Sequence, residues 1–193
     1  MKQFGDPTFA YHAALARVLG TVVLRLDESD VLPFDYSAYA LEISRMESAV
    51  AARVADEKGI AAADLKSLAD ASAQLTTSTS RASAALAAIS PAPLSPAAQR
   101  NLNRTLVGVE QSFLAPEGLA GRPWYKHTIF APGSYAGYAA EAMPGVNEAL
   151  DRNDAATFHR ESDVLAAALR RAAVALDDVT RLAQSAAGAP AGH

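Results

Sequence analysis

Through most of the chain the hydrophobic positions recur every three or four residues, the period of an amphipathic helix. Phe9, His12, Ala16, Leu19, Val23 and Leu26 form the first stripe. It follows Asp6-Pro7, which reads as an N-cap before a proline at the first helical position. Val31-Leu32-Pro33-Phe34-Asp35 interrupts the pattern: Pro33 disfavours helix at Leu32, and Asp35 offers the next cap. A second stripe, Tyr36, Tyr39, Ile43, Met46, Val50 and Val54, runs to a stop at Lys58-Gly59. A third helix is expected over about 64–89. Its positions Leu65, Leu68, Ser72, Leu75, Thr79, Ala82, Leu86 and Ile89 make a heptad-like stripe with polar interruptions, suited to bundle packing. Ser90-Pro91-Ala92-Pro93 ends it, and Ser95-Pro96 starts the helix of Leu102, Leu106, Val109 and Phe113. The last long helix begins near Asp154 and carries Phe158, Leu165, Leu169, Ala172, Leu176, Val179 and Leu182. No strand-like alternation competes, so the expected fold is all-α and four-helix-bundle-like over residues 1–187, with 188–193 a flexible tail.

One stretch breaks the period. Residues 115–145 hold Pro116, Gly118, Gly121, Pro123, Pro132, Gly133, Gly137, Pro144 and Gly145, together with the single tryptophan. A loop this long inside a compact domain is usually functional or disordered. Leaving Trp124, Tyr125, Ile129, Phe130, Tyr135 and Tyr138 in water would be costly, which predicts an ordered, functional loop.

Composition narrows the function. Half of the residues are hydrophobic and a fifth charged, the balance of a globular chain, and the abundant alanine favours closely packed helices. A net charge of −4 argues against a nucleic-acid partner, which would need a basic face. No apolar run approaches the ~20 residues that cross a bilayer, so no membrane segment is expected in this chain. The N-terminus lacks the apolar core of a signal peptide, so an export signal, if the parent has one, is expected upstream. Without cysteine there is neither a disulfide framework nor a thiolate metal site.

The candidate chemistry inside the chain is thin. His159 and Asp163 share a helix face at a spacing that suits a metal, but two ligands are too few, and a solvated or locally paired couple is expected. No His-Glu-x-x-His or Gly-x-Ser-x-Gly motif is present. His127 reads either as a pocket-side group or as a half-buried histidine that bonds the backbone and fixes the loop, the second being the expectation. Trp124 and Tyr125 are expected to anchor the loop on the bundle, and His12 to be structural. Asp27, Glu28 and Asp30 read as a solvated helix end rather than a calcium loop. No catalytic residue, metal ligand or cofactor site is expected in this chain, which is not an enzyme on its own.

Two blocks resemble a known family. Residues 113–119, Phe-Leu-Ala-Pro-Glu-Gly-Leu, followed by residues 122–132, Arg-Pro-Trp-Tyr-Lys-His-Thr-Ile-Phe-Ala-Pro, are similar to a stretch of the glutamate carboxypeptidase II/transferrin receptor family. The pattern continues through Ser134, Tyr138, Ala139, Glu141, Pro144 and Gly145. Pro7, Tyr11-His12, Gly20, residues 31–35 and Tyr39-Ala40 are similar to the start of the same region. The resemblance implies a C-terminal helical dimerisation domain, following a peptidase domain that holds two zinc ions. The irregular loop would supply one wall of the substrate pocket. In the family a Lys-Tyr pair of that loop contacts the carboxylates of a C-terminal glutamate; the matching positions here are Gly137 and Tyr138. Tyr138 keeps a donor for a carboxylate, Gly137 brings no cation, and Trp124, Tyr125, His127 and Ser134 would structure the loop. The implied partners are the chain's own peptidase domain, a second copy in a homodimer, and a peptide substrate of a periplasmic or secreted parent. Other readings are a non-catalytic transferrin receptor-like binding protein and an unrelated helical scaffold or sensor bundle.

Overall fold

The computed structural model describes residues 5, 6, 8–56, 59–89, 94–133 and 139–187. It divides into two compact units, residues 1–34 and 35–193. The expected tail at 188–193, the Lys58 half of the Lys58-Gly59 stop, Pro7 and the Ser90–Pro93 breaker lie outside the described residues.

In the first unit, α1 spans Ala10–Asp27. It starts later than Asp6-Pro7 predicts. Phe9 takes the N-cap position in the left-handed region, and the Asp6 carboxylate accepts from the His12 backbone N–H at 2.9 Å and lies 2.6 Å from His12 Nδ1. His12 therefore holds the approach to its own helix. The helical spacing of the first stripe is borne out, and no residue of α1 is buried. Its exposed apolar side chains Tyr11, Leu15, Val18, Leu19, Val22, Val23 and Leu26 fall largely on one side of the helix, with Leu24 on the other.

The second unit is built on α2 (Tyr36–Asp56), α3 (Lys66–Ala87), α4 (Pro96–Gln111) and α6 (Ala155–Ala187), with a 3-10 turn at Ala62–Leu65 leading into α3. The caps at Asp35 and Ser95 are those the sequence predicts, and Asp154, near which the last helix is expected to begin, supplies a third. Asp35 Oδ1 accepts from the N–H groups of Ser37 and Ala38, and Ser95 Oγ from Ala98 at 3.3 Å with Pro96 beside it. Asp154 Oδ1 accepts from the Thr157 N–H at 3.0 Å, and Oδ2 from the Thr157 hydroxyl at 2.6 Å. These bonds hold the Asp154 carboxyl below the usual range. They satisfy N–H groups that a helix start would otherwise leave orphaned.

The longest interface joins α3 to α6. Leu68, Ala71, Leu75 and Ala82 face Leu165, Leu169, Ala172, Leu176 and Val179, all buried. Alanine at three of these nine positions, Ala71, Ala82 and Ala172, lets the backbones come close. The polar interruptions of the α3 stripe are buried without cost in unmade bonds where the hydroxyl turns back on its own helix, as Thr79 Oγ1 does to the Leu75 carbonyl at 2.7 Å.

The mostly α-helical expectation holds, with one small two-strand hairpin and one short helix that the sequence pattern does not place. Phe130–Pro132 (β1) and Ala140–Ala142 (β2) pair antiparallel, with Ala131 opposite Glu141, and Pro144–Asp151 forms a short helix, α5. Strands of three residues are too short to show alternation. In α5, Pro144 and Gly145 read as loop punctuation, yet proline also suits a first helical position. Val146, Ala149 and Leu150 do share one side of α5, but two turns are too short for that stripe to stand out from the loop before it.

Candidate functional site

The predicted loop is ordered over its described residues and consists of two successive hairpins hung from the end of α4. Phe113, fully buried, meets the Tyr39 ring edge-on at 5.1 Å. Its carbonyl accepts from both the backbone N–H and the hydroxyl of Thr128, at 3.0 and 2.8 Å. Ala115 N–H donates to the Lys126 carbonyl and Leu119 N–H to that of Tyr125, which closes the first hairpin around residues 119–122. Gly118 sits at φ +73°, and a Cβ there would fall within 2.7 Å of Pro123 Cα, so only glycine allows the two limbs to meet. Burial and the Glu110 charge push the Tyr36 hydroxyl up to about 12 and raise that of Tyr39 further. Both phenols therefore stay neutral, and Tyr36 donates to the Leu106 carbonyl at 2.7 Å.

His127 bonds the loop to itself. Its Nδ1 accepts from the N–H groups of Ile129 and Phe130, each at 3.2 Å, and its Nε2 lies 3.0 Å from Glu110 Oε1 on α4. Tyr125 is half-buried, with the Arg122 guanidinium over its ring at 5.5 Å. Trp124 is placed differently from its expected anchoring role: it is 73% exposed. Ile129, Ala131, Leu119 and Phe113, all buried, hold the loop down instead. The backbone bonds of the first hairpin leave the Trp124 side chain on the outside.

The second hairpin is β1–β2, and both of its strands are clamped to α5. Arg122, 13% exposed at its side chain, donates to the Pro132 carbonyl on β1 and pairs with Glu148, 3% exposed, on α5. Arg152 Nη1 lies 3.8 Å from the other Glu148 oxygen. On β2 the Ala142 carbonyl accepts from Asn147 Nδ2 at 2.7 Å. Arg53 of α2 in turn donates to Asn147 Oδ1 and Asp151 Oδ1, at 2.7 and 2.6 Å. Two charged chains thus fix the strands that bracket residues 134–138. Ser134, Gly137 and Tyr138, the candidates carried by the family resemblance, lie outside the described residues. Met143, buried and in the left-handed region at φ +42°, turns β2 into α5. Burial and the neighbouring charges of Glu148 and Asp151 raise the Glu141 carboxyl.

Sequence reasoning passed over Arg122, Glu148, Asn147 and Arg53 as functional groups. Glu148 and Arg152 carry the i, i+4 signature of a helical ion pair, but nothing local links Arg122 to a residue 26 positions away.

His159 Nε2 is 3.9 Å from Asp64 Oδ2, not drawn to Asp163. Among the described residues no group of three or more His, Cys, Asp or Glu side chains could hold a metal ion. No described helix is long and apolar enough to cross a membrane. A cavity of about 360 Å³ opens between residues 115–120 and α6, lined by Leu119, Val164 and Ala167 with Arg160 and Arg171 at its edges. Glu161 closes its floor, its carboxyl raised by burial.

Comparison with known proteins agrees with the geometry. Residues 63–177 match the family described as transferrin receptor-like dimerisation domain. A probable glutamate carboxypeptidase of Arabidopsis thaliana is 37% identical over 151 residues, which is 78% of this chain and 21% of the relative. One of Zea mays is 29% identical over 155 residues, 79% of this chain and 21% of the relative. An aminopeptidase of Rattus norvegicus is 28% identical over 200 residues, 94% of this chain and 25% of the relative. The chain therefore spans about a fifth to a quarter of the length of these curated relatives.

Proposed function

Because this chain belongs to the transferrin receptor-like dimerisation domain family, we propose that it forms the subunit interface of a zinc-dependent exopeptidase resembling glutamate carboxypeptidase II and completes that enzyme's substrate pocket. The observation that carries the pocket role is the double clamp on β1 and β2. Arg122, which pairs with Glu148, and Arg53, acting through Asn147, hold strands 130–132 and 140–142 on α5, so the two strands on either side of the family's carboxylate-contact positions are themselves fixed. The two zinc ions and the hydrolytic chemistry belong, on this reading, to a peptidase domain outside the chain. This domain's part is to bind and orient. Tyr138 would donate a hydrogen bond to a carboxylate of the peptide, and Gly137, standing where the family has lysine, would leave the neighbouring side-chain pocket without a cation.

A hydrogen bond to a charged group contributes about 1.5–3 kcal/mol, or roughly 10- to 150-fold in kcat/KM. Tyr138→Phe in the longer enzyme should therefore lower kcat/KM by that factor for peptides with a free C-terminal carboxylate, and leave the corresponding C-terminal amides unchanged. Equal loss on both substrates would remove Tyr138 from the pocket. The absence of a cation at Gly137 favours a second reading, a parent that selects the N-terminal residue as an aminopeptidase does. Activity confined to peptides with a free amino terminus, indifferent to C-terminal amidation, would establish it.

A further inference from the structure

One loop carries both a protrusion and a hollow, and among the described residues neither is filled or covered. Trp124 is the chain's only tryptophan, and at 73% exposure it is far more open than a ring that size usually is on an ordered, hydrogen-bonded turn. It follows Pro123, whose backbone lies against Gly118, and Gly118 lines the cavity beside α6. That cavity, about 360 Å³, lies at the small end of the range that takes a compact ligand or one aromatic group, ~300–1,000 Å³.

The hollow belongs to a longer apolar face. Along α6 the residues Arg160, Val164, Ala167, Arg171 and Val174 fall at i, i+4, i+7, i+11 and i+14, one side of a helix. Arg171 donates to the carbonyls of Ser112 and Leu114, both at 3.0 Å, so the end of α4 borders this side of α6. Val174, Leu114 and, two turns back on α4, Val107 are 56%, 41% and 46% exposed. All of these residues, with Trp124, fall inside the segment matched to a dimerisation domain.

We infer that this face is the contact between two copies of the chain, with Trp124 of each protomer seated in the hollow between residues 115–120 and α6 of its partner. The inference rests on the reading of the chain as a dimerisation domain and assigns the surface that does it. Self-complementarity is what an isologous interface requires, and a knob and a hole on one loop, joined through Pro123 and Gly118, supply both halves. Tryptophan is the side chain most enriched at the centres of such contacts, where it fills a pocket and is sealed from water. One indole covers about 150–250 Å². A dimer needs about 800 Å² per subunit, so the exposed apolar residues of α4 and α6 complete the core and their charged neighbours form the rim. Glu117 on the loop and Arg160 on α6 give that rim opposite signs, which a two-fold axis can bring together.

Sedimentation velocity on the full chain across a concentration series, with Trp124 emission and acrylamide quenching read on the same samples, tests this. Association should be accompanied by a blue shift and by protection of the tryptophan in step with dimer formation. Trp124→Ala should weaken association by about 30-fold or more, the loss expected of a central hot spot of 2 kcal/mol or above. Ala167→Glu, which puts a charge in the hollow, should weaken it to a similar extent and leave Trp124 exposed at every concentration. Both substitutions are at exposed or half-exposed positions, and unchanged circular dichroism melts would show that the fold is intact. Dimers whose tryptophan stays open to quencher would overturn the surface assigned here and leave the dimerisation reading standing. A chain monomeric at all concentrations would overturn both. Protection of Trp124 already present in the monomer would also overturn the assignment, since the ring would then be covered within its own chain.

Discussion

Replacing Glu148 by alanine removes the carboxylate to which Arg122 is paired. Arg122 is 13% exposed and Glu148 3%, so solvent screens the pair little and cannot take over the lost contact. The guanidinium would be left buried with the Pro132 carbonyl as its acceptor, and Arg152 would lose its own contact with Glu148. Breaking one partner of a buried pair costs about 3–5 kcal/mol, mostly the penalty of the unpaired charge. At about 2–4 °C per kcal/mol for a chain of this size, the midpoint should fall by roughly 6–20 °C. Urea unfolding of Glu148→Ala, Arg122→Met and the double variant Arg122→Met/Glu148→Leu measures the coupling directly. The double variant buries no charge and should recover most of the loss, since apolar replacement of a buried pair is often neutral or better. Amide exchange should quicken in residues 129–133 and 139–143 of Glu148→Ala, where the clamp is released. A Glu148→Ala protein within about 1 kcal/mol of the parent, or a double variant no better than the worse single one, would refute the account.

Two further substitutions probe the same region. Gly118→Ala must place a Cβ against Pro123 at a positive φ and should cost about 2–4 kcal/mol in urea unfolding, against about 1–2 for Gly121→Ala, whose φ is also positive but whose surroundings are open. Equal costs at the two positions would show that the close approach of the limbs is not what selects glycine. Glu161 has its folded-state pKa raised by burial, so ionising it opposes folding: the stability present below its unfolded value near 4.5 is lost as pH rises through the raised value. Glu161→Gln should therefore stabilise the chain at neutral pH and lose that advantage toward pH 4, and a constant difference across this range in thermal melts would contradict the assignment.

The helices of the second unit were legible because their signals are local. Ser95-Pro96, Asp154 and Asp35 carry their cap chemistry within three residues, and the stripes of α3 and α6 repeat at a period that only a helix satisfies. The irregular loop was legible for the converse reason, since prolines and glycines at that density exclude a regular helix while its aromatics favour order. Hairpin β1–β2 and α5 were not, being shorter than the window over which a period can be recognised. In the first helix the stripe was legible and the start was not: its N-cap is Phe9 rather than Asp6, and a stripe shows which residues are apolar without showing that anything covers them.

What the amino-acid order settled by itself was the helical content of the bundle, the position of its one long break and the family pattern within that break, because each depends on neighbours a few residues apart. Only the folded chain decided that Arg122 meets Glu148, that Arg53 reaches β2 through Asn147, and that Trp124 stands in solvent while Ile129 is sealed. Those outcomes depend on which distant side chains arrive at the same place, and burial is a property of the assembled neighbourhood rather than of the residue.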